Sequence, residues 1–127
     1  MQQQQLFEYA VIRIVPRVER EEFLNAGVIL YCSKLNFLQA LFKTDHERLA
    51  AFCSETDIPA VEENLQAIER ICIGGSGAGP IGKLDAASRF RWLTATRSTV
   101  VQSSKVHPGF CTDPASTLLR LFTQLVL

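Results

Sequence analysis

The sequence predicts an α+β domain, a mainly antiparallel sheet of about four strands with helices packed on one face. Residues 6–42 are rich in β-branched and aromatic side chains, and two later stretches, 44–73 and 113–125, repeat apolar residues every three or four positions. The elements arrive as β, β, β, α, α, short α, β, α, without the strict strand–helix alternation of a parallel sheet.

Leu6 to Pro16 opens the order as a strand. Phe7, Tyr9, Val11, Arg13 and Val15 alternate with Leu6, Ala10, Ile12 and Ile14, so both faces are largely apolar and both should be covered. The charged run RVEREEFLN is a loop or a single helical turn, and AGVILYC begins a second strand at Ala26. Lys34-Leu35-Asn36 breaks the pattern and FLQALF resumes it, which reads as a β-hairpin. Thr44 and Glu47 have capping-box spacing before an apolar face of Leu49, Ala50, Phe52 and Cys53. Asp57 caps a second helix, with Pro59 in its first turn and Val61, Leu65, Ile68 and Cys72 on its buried side. Residues 73–83 lose all periodicity and read as a flexible Gly-rich loop. A short helix over DAASRFRWL, a fourth strand over STVVQSS and a turn-rich KVHPGFCTD follow. Asp113 and Pro114 then start a last helix with Leu118, Leu121, Phe122 and Leu125 as its apolar stripe.

A chain of 127 residues fits one domain, here residues 6–127 behind a flexible tail at 1–5. The composition, 47% apolar and 20% charged, is that of an ordinary globular protein, and no apolar run nears the roughly 20 residues that span a bilayer. MQQQQ lacks the basic start and apolar middle of a signal peptide, so the expected location is cytoplasmic. Cys32, Cys53, Cys72 and Cys111 are widely spaced and read as four reduced thiols, with Cys53 and Cys72 among apolar residues that suit burial. Their spacing supports no metal site, and no cofactor is expected.

Net charge is zero but uneven, −4 over residues 1–73 and +4 over 74–127. The balance argues against broad nucleic-acid binding while leaving room for a local anion site. Gly77 to Gly82 satisfies G-x-G-x-x-G, yet a helix precedes it and no acidic residue follows at the required distance. Leu84 stands where a phosphate-binding loop needs Ser or Thr, so the linker reading is preferred.

The densest chemistry lies in Arg89 to Gly109, which holds three arginines, the only tryptophan and one of two histidines. Arg89 and Arg97 have the planar fork that grips carboxylate or phosphate, and Ser98 and Gln102 add polar contacts. Histidine's unperturbed pKa lies near neutrality, which makes His107 a candidate proton carrier. A second polar segment offers Arg17, Glu22 and Asn25, with Glu22 as the other candidate acid–base group. A salt bridge from the acidic loop, Glu19 to Glu22, to Arg89 or Arg97 would account for the charge asymmetry without any ligand.

These two segments, YAVIRIVPRVEREEFLNAGVILYC and RFRWLTATRSTVVQSSKVHPGFCTDP, resemble the bacterial DUF3037 family of small proteins of unknown function over nearly the whole chain. Arg17, Glu22, Asn25 and Gly27 match its first motif; Arg89, Trp92, Arg97, Ser98, Gln102, His107 and Gly109 match its second. The resemblance implies a HipA-like kinase as partner. An aminotransferase label attached to some members is not supported, because a pyridoxal phosphate enzyme needs a far larger fold around its lysine. Two readings follow. One is a noncatalytic accessory or interaction module binding an acidic or phosphorylated partner, or a small anion. The other is a small enzyme acting on a phosphoester or nucleotide, with Arg89, Arg97, His107 and Glu22 converging in one pocket. Nucleic acid ranks below both, and no membrane association is expected.

Overall fold

The first strand, β1 (Gln5–Ile14), lies at the centre of the sheet in the computed structural model, which describes residues 3–127. It therefore begins inside the segment read as a tail; residues 1 and 2 lie outside the described residues. One edge of β1 pairs antiparallel with β2 (Leu24–Cys32), which pairs with β3 (Phe37–Phe42) in the expected hairpin. Asn36 takes the left-handed conformation that the tight turn requires, with φ 50°.

The other edge of β1 is shared by two short strands, β4 (Val101–Ser103) beside Ile12–Ile14 and β5 (His107–Cys111) beside Gln5–Tyr9. Buried Ser104 joins them. Its N–H donates to the Val11 carbonyl (2.8 Å), and its hydroxyl accepts from the Val11 N–H (2.8 Å) while donating to the Lys105 carbonyl (2.9 Å). β5 falls in the stretch read as a turn-rich connection. Pro108 is tolerable there because β5 is an edge strand, where a missing N–H need not break a ladder. Gly109 is there because a Cβ would lie 2.5 Å from the Phe7 ring.

The α+β class and the antiparallel sheet stand, with five strands instead of four. Helices cover both faces instead of one. On one face, α2 (Ile58–Ile73) and α3 (Ala86–Leu93) bury Val61, Leu65, Cys72, Phe90 and Leu93 against Ile12, Ile14, Ile29 and Tyr31. Leu49 of α1 (His46–Phe52) joins the same core. On the other face, α4 (Pro114–Leu125) buries Leu118 and Leu121 against Phe7, Val28, Leu30 and Cys32. The reason is in β2: its residues Ala26 to Cys32 are all buried, and side chains alternate between faces, so each face needs its own cover.

Asp57 and Asp113 cap α2 and α4 as expected, accepting from the N–H groups of Ala60 and Ala115. α1 is capped by Asp45, whose Oδ1 accepts from the Arg48 N–H (3.1 Å), and not by Thr44 one residue earlier. The Gly-rich segment is wound instead of loose. Ser76–Lys83 forms 3-10 turns interrupted at Gly79, and the Gly75 N–H closes the segment on the Gly82 carbonyl (2.8 Å). Among the described residues, no helix is long and apolar enough to cross a membrane.

Candidate functional site

Apolar strands rarely carry a charge on a covered face, and β1 does so at Arg13. The strand is bulged there: Ile12 pairs with Gly27 but Arg13 pairs with Asn25, leaving Ala26 without a partner on β1. A bulge re-aims the side chain that follows it. On the opposite edge Gln102 pairs with Arg13. Asn25, Arg13 and Gln102 thus form one polar row across β2, β1 and β4, and paired residues share a face. The two polar segments of the sequence meet in this row, with Arg13 between them.

The guanidinium of Arg13 lies 4.1 Å from the centroid of the Phe23 ring, a cation–π placement. Its Nε is buried, and no hydrogen bond or ion pair engages the group among the described residues. Asn25 Nδ2 donates to the Leu125 carbonyl (3.0 Å), while its Oδ1 is buried without a donor. Gln102 Nε2 donates to the Thr99 carbonyl (2.7 Å), and the Val15 N–H donates to the Val100 carbonyl, tying the turn before β4 to the end of β1.

Beyond β1 the chain makes a short 3-10 turn, Val18–Arg20, ended by Glu21 in the left-handed region. This turn and the end of α1 enclose an open cavity of about 690 Å3 lined by Arg17, Arg20, Glu22, Phe52, Cys53 and Glu55. Arg17 Nη2 pairs with Glu55 Oε2 (3.1 Å), and Arg20 pairs with Glu22, whose carboxyl that contact holds below the usual carboxylate range. Cys53, expected in an apolar site, is instead half-buried at the end of α1 and lines this cavity. The Glu55 N–H, then the Arg17 guanidinium and the Thr56 hydroxyl, hold its thiol below the ordinary thiol range. Burial pushes Cys72 the other way, up to about 12.

The arginines of the second segment are engaged elsewhere. Arg89 ties down the C-terminal end of α2: Nη1 donates to the carbonyls of Ile71 (2.8 Å) and Cys72 (2.7 Å), and Nε to that of Leu84 (3.1 Å). Gly74 makes room for it, since a Cβ there would lie 2.8 Å from Arg89 Nη1. Arg91 forms a two-pronged pair with Glu8 (3.1 and 3.2 Å). Arg97 lies over the Trp92 ring (4.6 Å to its centroid) and donates to the Trp92 carbonyl. The acidic loop pairs with neither Arg89 nor Arg97; Glu22 is taken by Arg20.

Ser98 is exposed in the turn before β4. His107 is exposed at the start of β5, its ring 5.3 Å from that of Tyr9, its cross-strand partner. Tyr9 and Arg13 are four residues apart on β1, about 13 Å along the strand, which separates His107 from the Asn25 row. Glu22, Arg97 and Arg89 line three different cavities, and His107 lines none of these. The structure thus sets Arg13 between Asn25 and Gln102 by register, puts Arg17 and Glu22 on one cavity and Arg97 and Gln102 on another, and leaves Arg89 and His107 apart. Sequence reasoning missed Arg13; the signal available was a lone cation in the alternation of Phe7, Tyr9 and Val11.

Gly27 has a packing role beside this row. A Cβ there would meet the Leu41 carbonyl oxygen at 2.5 Å and Phe42 Cβ at 2.8 Å. No curated protein and no solved structure matches the chain. Residues 9–126 match the family described as protein of unknown function, DUF3037, a span that contains both polar segments and every strand pairing of the row. The chain belongs to the DUF3037 family.

Proposed function

We propose that this protein is a noncatalytic accessory module that docks an acidic or phosphorylated partner at the end of β1, and that a HipA-like kinase is that partner. The observation that supports it is Arg13: a half-buried guanidinium over the Phe23 ring, with no acceptor among the described residues. A guanidinium's planar fork is preorganised for carboxylate or phosphate, and such charge-assisted contacts are among the stronger hydrogen bonds. Arg17 and Arg20 lie at the same end, while Glu55 and Glu22 keep their charge local until a stronger anion competes. The phosphoester-enzyme reading loses its ground with the dispersal of Arg89, Arg97, His107 and Glu22. Native mass spectrometry with the kinase in phosphorylated and dephosphorylated forms tests the proposal. A complex that Arg13→Met weakens about tenfold is expected. Absence of any complex at micromolar concentration overturns it.

A further inference from the structure

A second cavity, of about 360 Å3, opens at the end of the sheet beneath the last residues of the chain described here. That volume falls in the range of small-molecule sites, and its lining has their character: a mostly apolar wall with few polar groups. Ile14, Leu24, Ala26, Leu49 and Val126 make the wall. Three charged side chains face it, Lys43, Asp45 and Arg48. Asp45 Oδ1 is occupied as the cap of α1, and Arg48 Nη1 donates to the Val126 carbonyl (3.1 Å). Neither Lys43 nor Arg48 has a carboxylate partner among the described residues. Asn25 supplies the fourth polar group. Its Nδ2 is committed to the Leu125 carbonyl, which fixes the amide, and its buried Oδ1 lacks a donor.

We propose that this cavity binds a small carboxylic acid with an apolar body. Each part answers a group that the fold leaves unmatched. The body covers Ile14, Leu24 and Leu49, and the carboxylate meets Lys43 and Arg48. Lys43 and Arg48 have no carboxylate within ion-pair distance among the described residues, so they are the groups that an entering anion meets. This inference does not depend on the docking reading, because no protein partner enters it.

The test is a titration of N-acetyl-L-leucine, with its primary amide as the uncharged control, into 15N-labelled protein. Saturable shifts are expected at the Asn25 side-chain amide and at the Lys43, Leu49 and Val126 backbone amides, with the amide control binding about tenfold more weakly. Lys43→Glu, a change at an exposed side chain, should weaken the acid about tenfold and leave the amide unchanged. Leu24→Trp should fill the cavity and abolish both. Equal binding of acid and amide, shifts that map away from these residues, or no shift at millimolar concentration overturns the proposal.

Discussion

Arg89 and Arg13 are both half-buried arginines in polar segments that the sequence makes conspicuous, yet their surroundings are opposite. Arg89 directs its donors to three main-chain carbonyls at the end of α2 and the start of α3. Arg13 rests on Phe23 and has no acceptor among the described residues. The first is a clamp within the fold, and the second is a cation without an acceptor among the described residues. Residue density in a sequence cannot distinguish them, because an arginine's role is set by which acceptors the fold brings within reach.

The comparison extends to the other motif positions. Gly27, Gly109 and Arg89 serve packing and closure, whereas Asn25 and Gln102 flank the free guanidinium in the sheet. Changing Gly27 should therefore give the largest effect on stability. Gly27→Ala pushes a methyl group into the Leu41 carbonyl and Phe42, at a cost of about 3 kcal/mol by chemical denaturation. A cost below about 0.5 kcal/mol would mean that the strand pair yields easily, contrary to the packing argument.

Arg89→Met comes next. It strips the Ile71, Cys72 and Leu84 carbonyls of their donor and should cost about 2 kcal/mol, with partner binding retained per folded molecule. Arg13→Met should do the reverse, costing less than about 1 kcal/mol or even stabilising, since it removes a partly buried charge without an acceptor. If the two variants behave alike in denaturation, the distinction between clamp and free cation fails.

The cysteines sharpen the same point at smaller scale. Cys53 lies below the ordinary thiol range because hydrogen-bond donors face it, and Cys72 is raised to about 12 by burial. At pH 7, iodoacetamide should modify Cys53 faster than Cys72 by on the order of a hundredfold, read by mass spectrometry of the intact fold. Because the thiolate reacts, the Cys53 rate should rise with pH and level off below the ordinary thiol range. Arg17→Met should move that plateau upward in pH, and an unmoved plateau would remove Arg17 from the account.

Much of the fold is legible in the sequence where local chemistry and burial agree. β1, the β2–β3 hairpin and the Asp57 and Asp113 caps follow from alternation, turn residues and capping preferences. β5 is not legible, since Pro108 and Gly109 disfavour a strand and only its edge position and the Phe7 ring explain them. Asp45 supplants Thr44 because both are good caps and the helix starts at His46, which leaves Asp45 at the cap position. The Gly-rich segment looks loose in one dimension, but the hydrogen bond between Gly75 and Gly82 closes it. The candidate site is half legible: Arg17, Asn25 and Gln102 stand out as polar positions, whereas Arg13 takes on meaning only when sheet register places it between two of them.

The most direct measurement follows the arginine guanidinium resonances of the 15N-labelled protein as the phosphorylated HipA-like kinase is added. The Arg13 signals should shift and slow their exchange with water as an acceptor arrives, while those of Arg89, already bound to carbonyls, stay in place. Shifts at Arg89 with Arg13 silent would contradict the account.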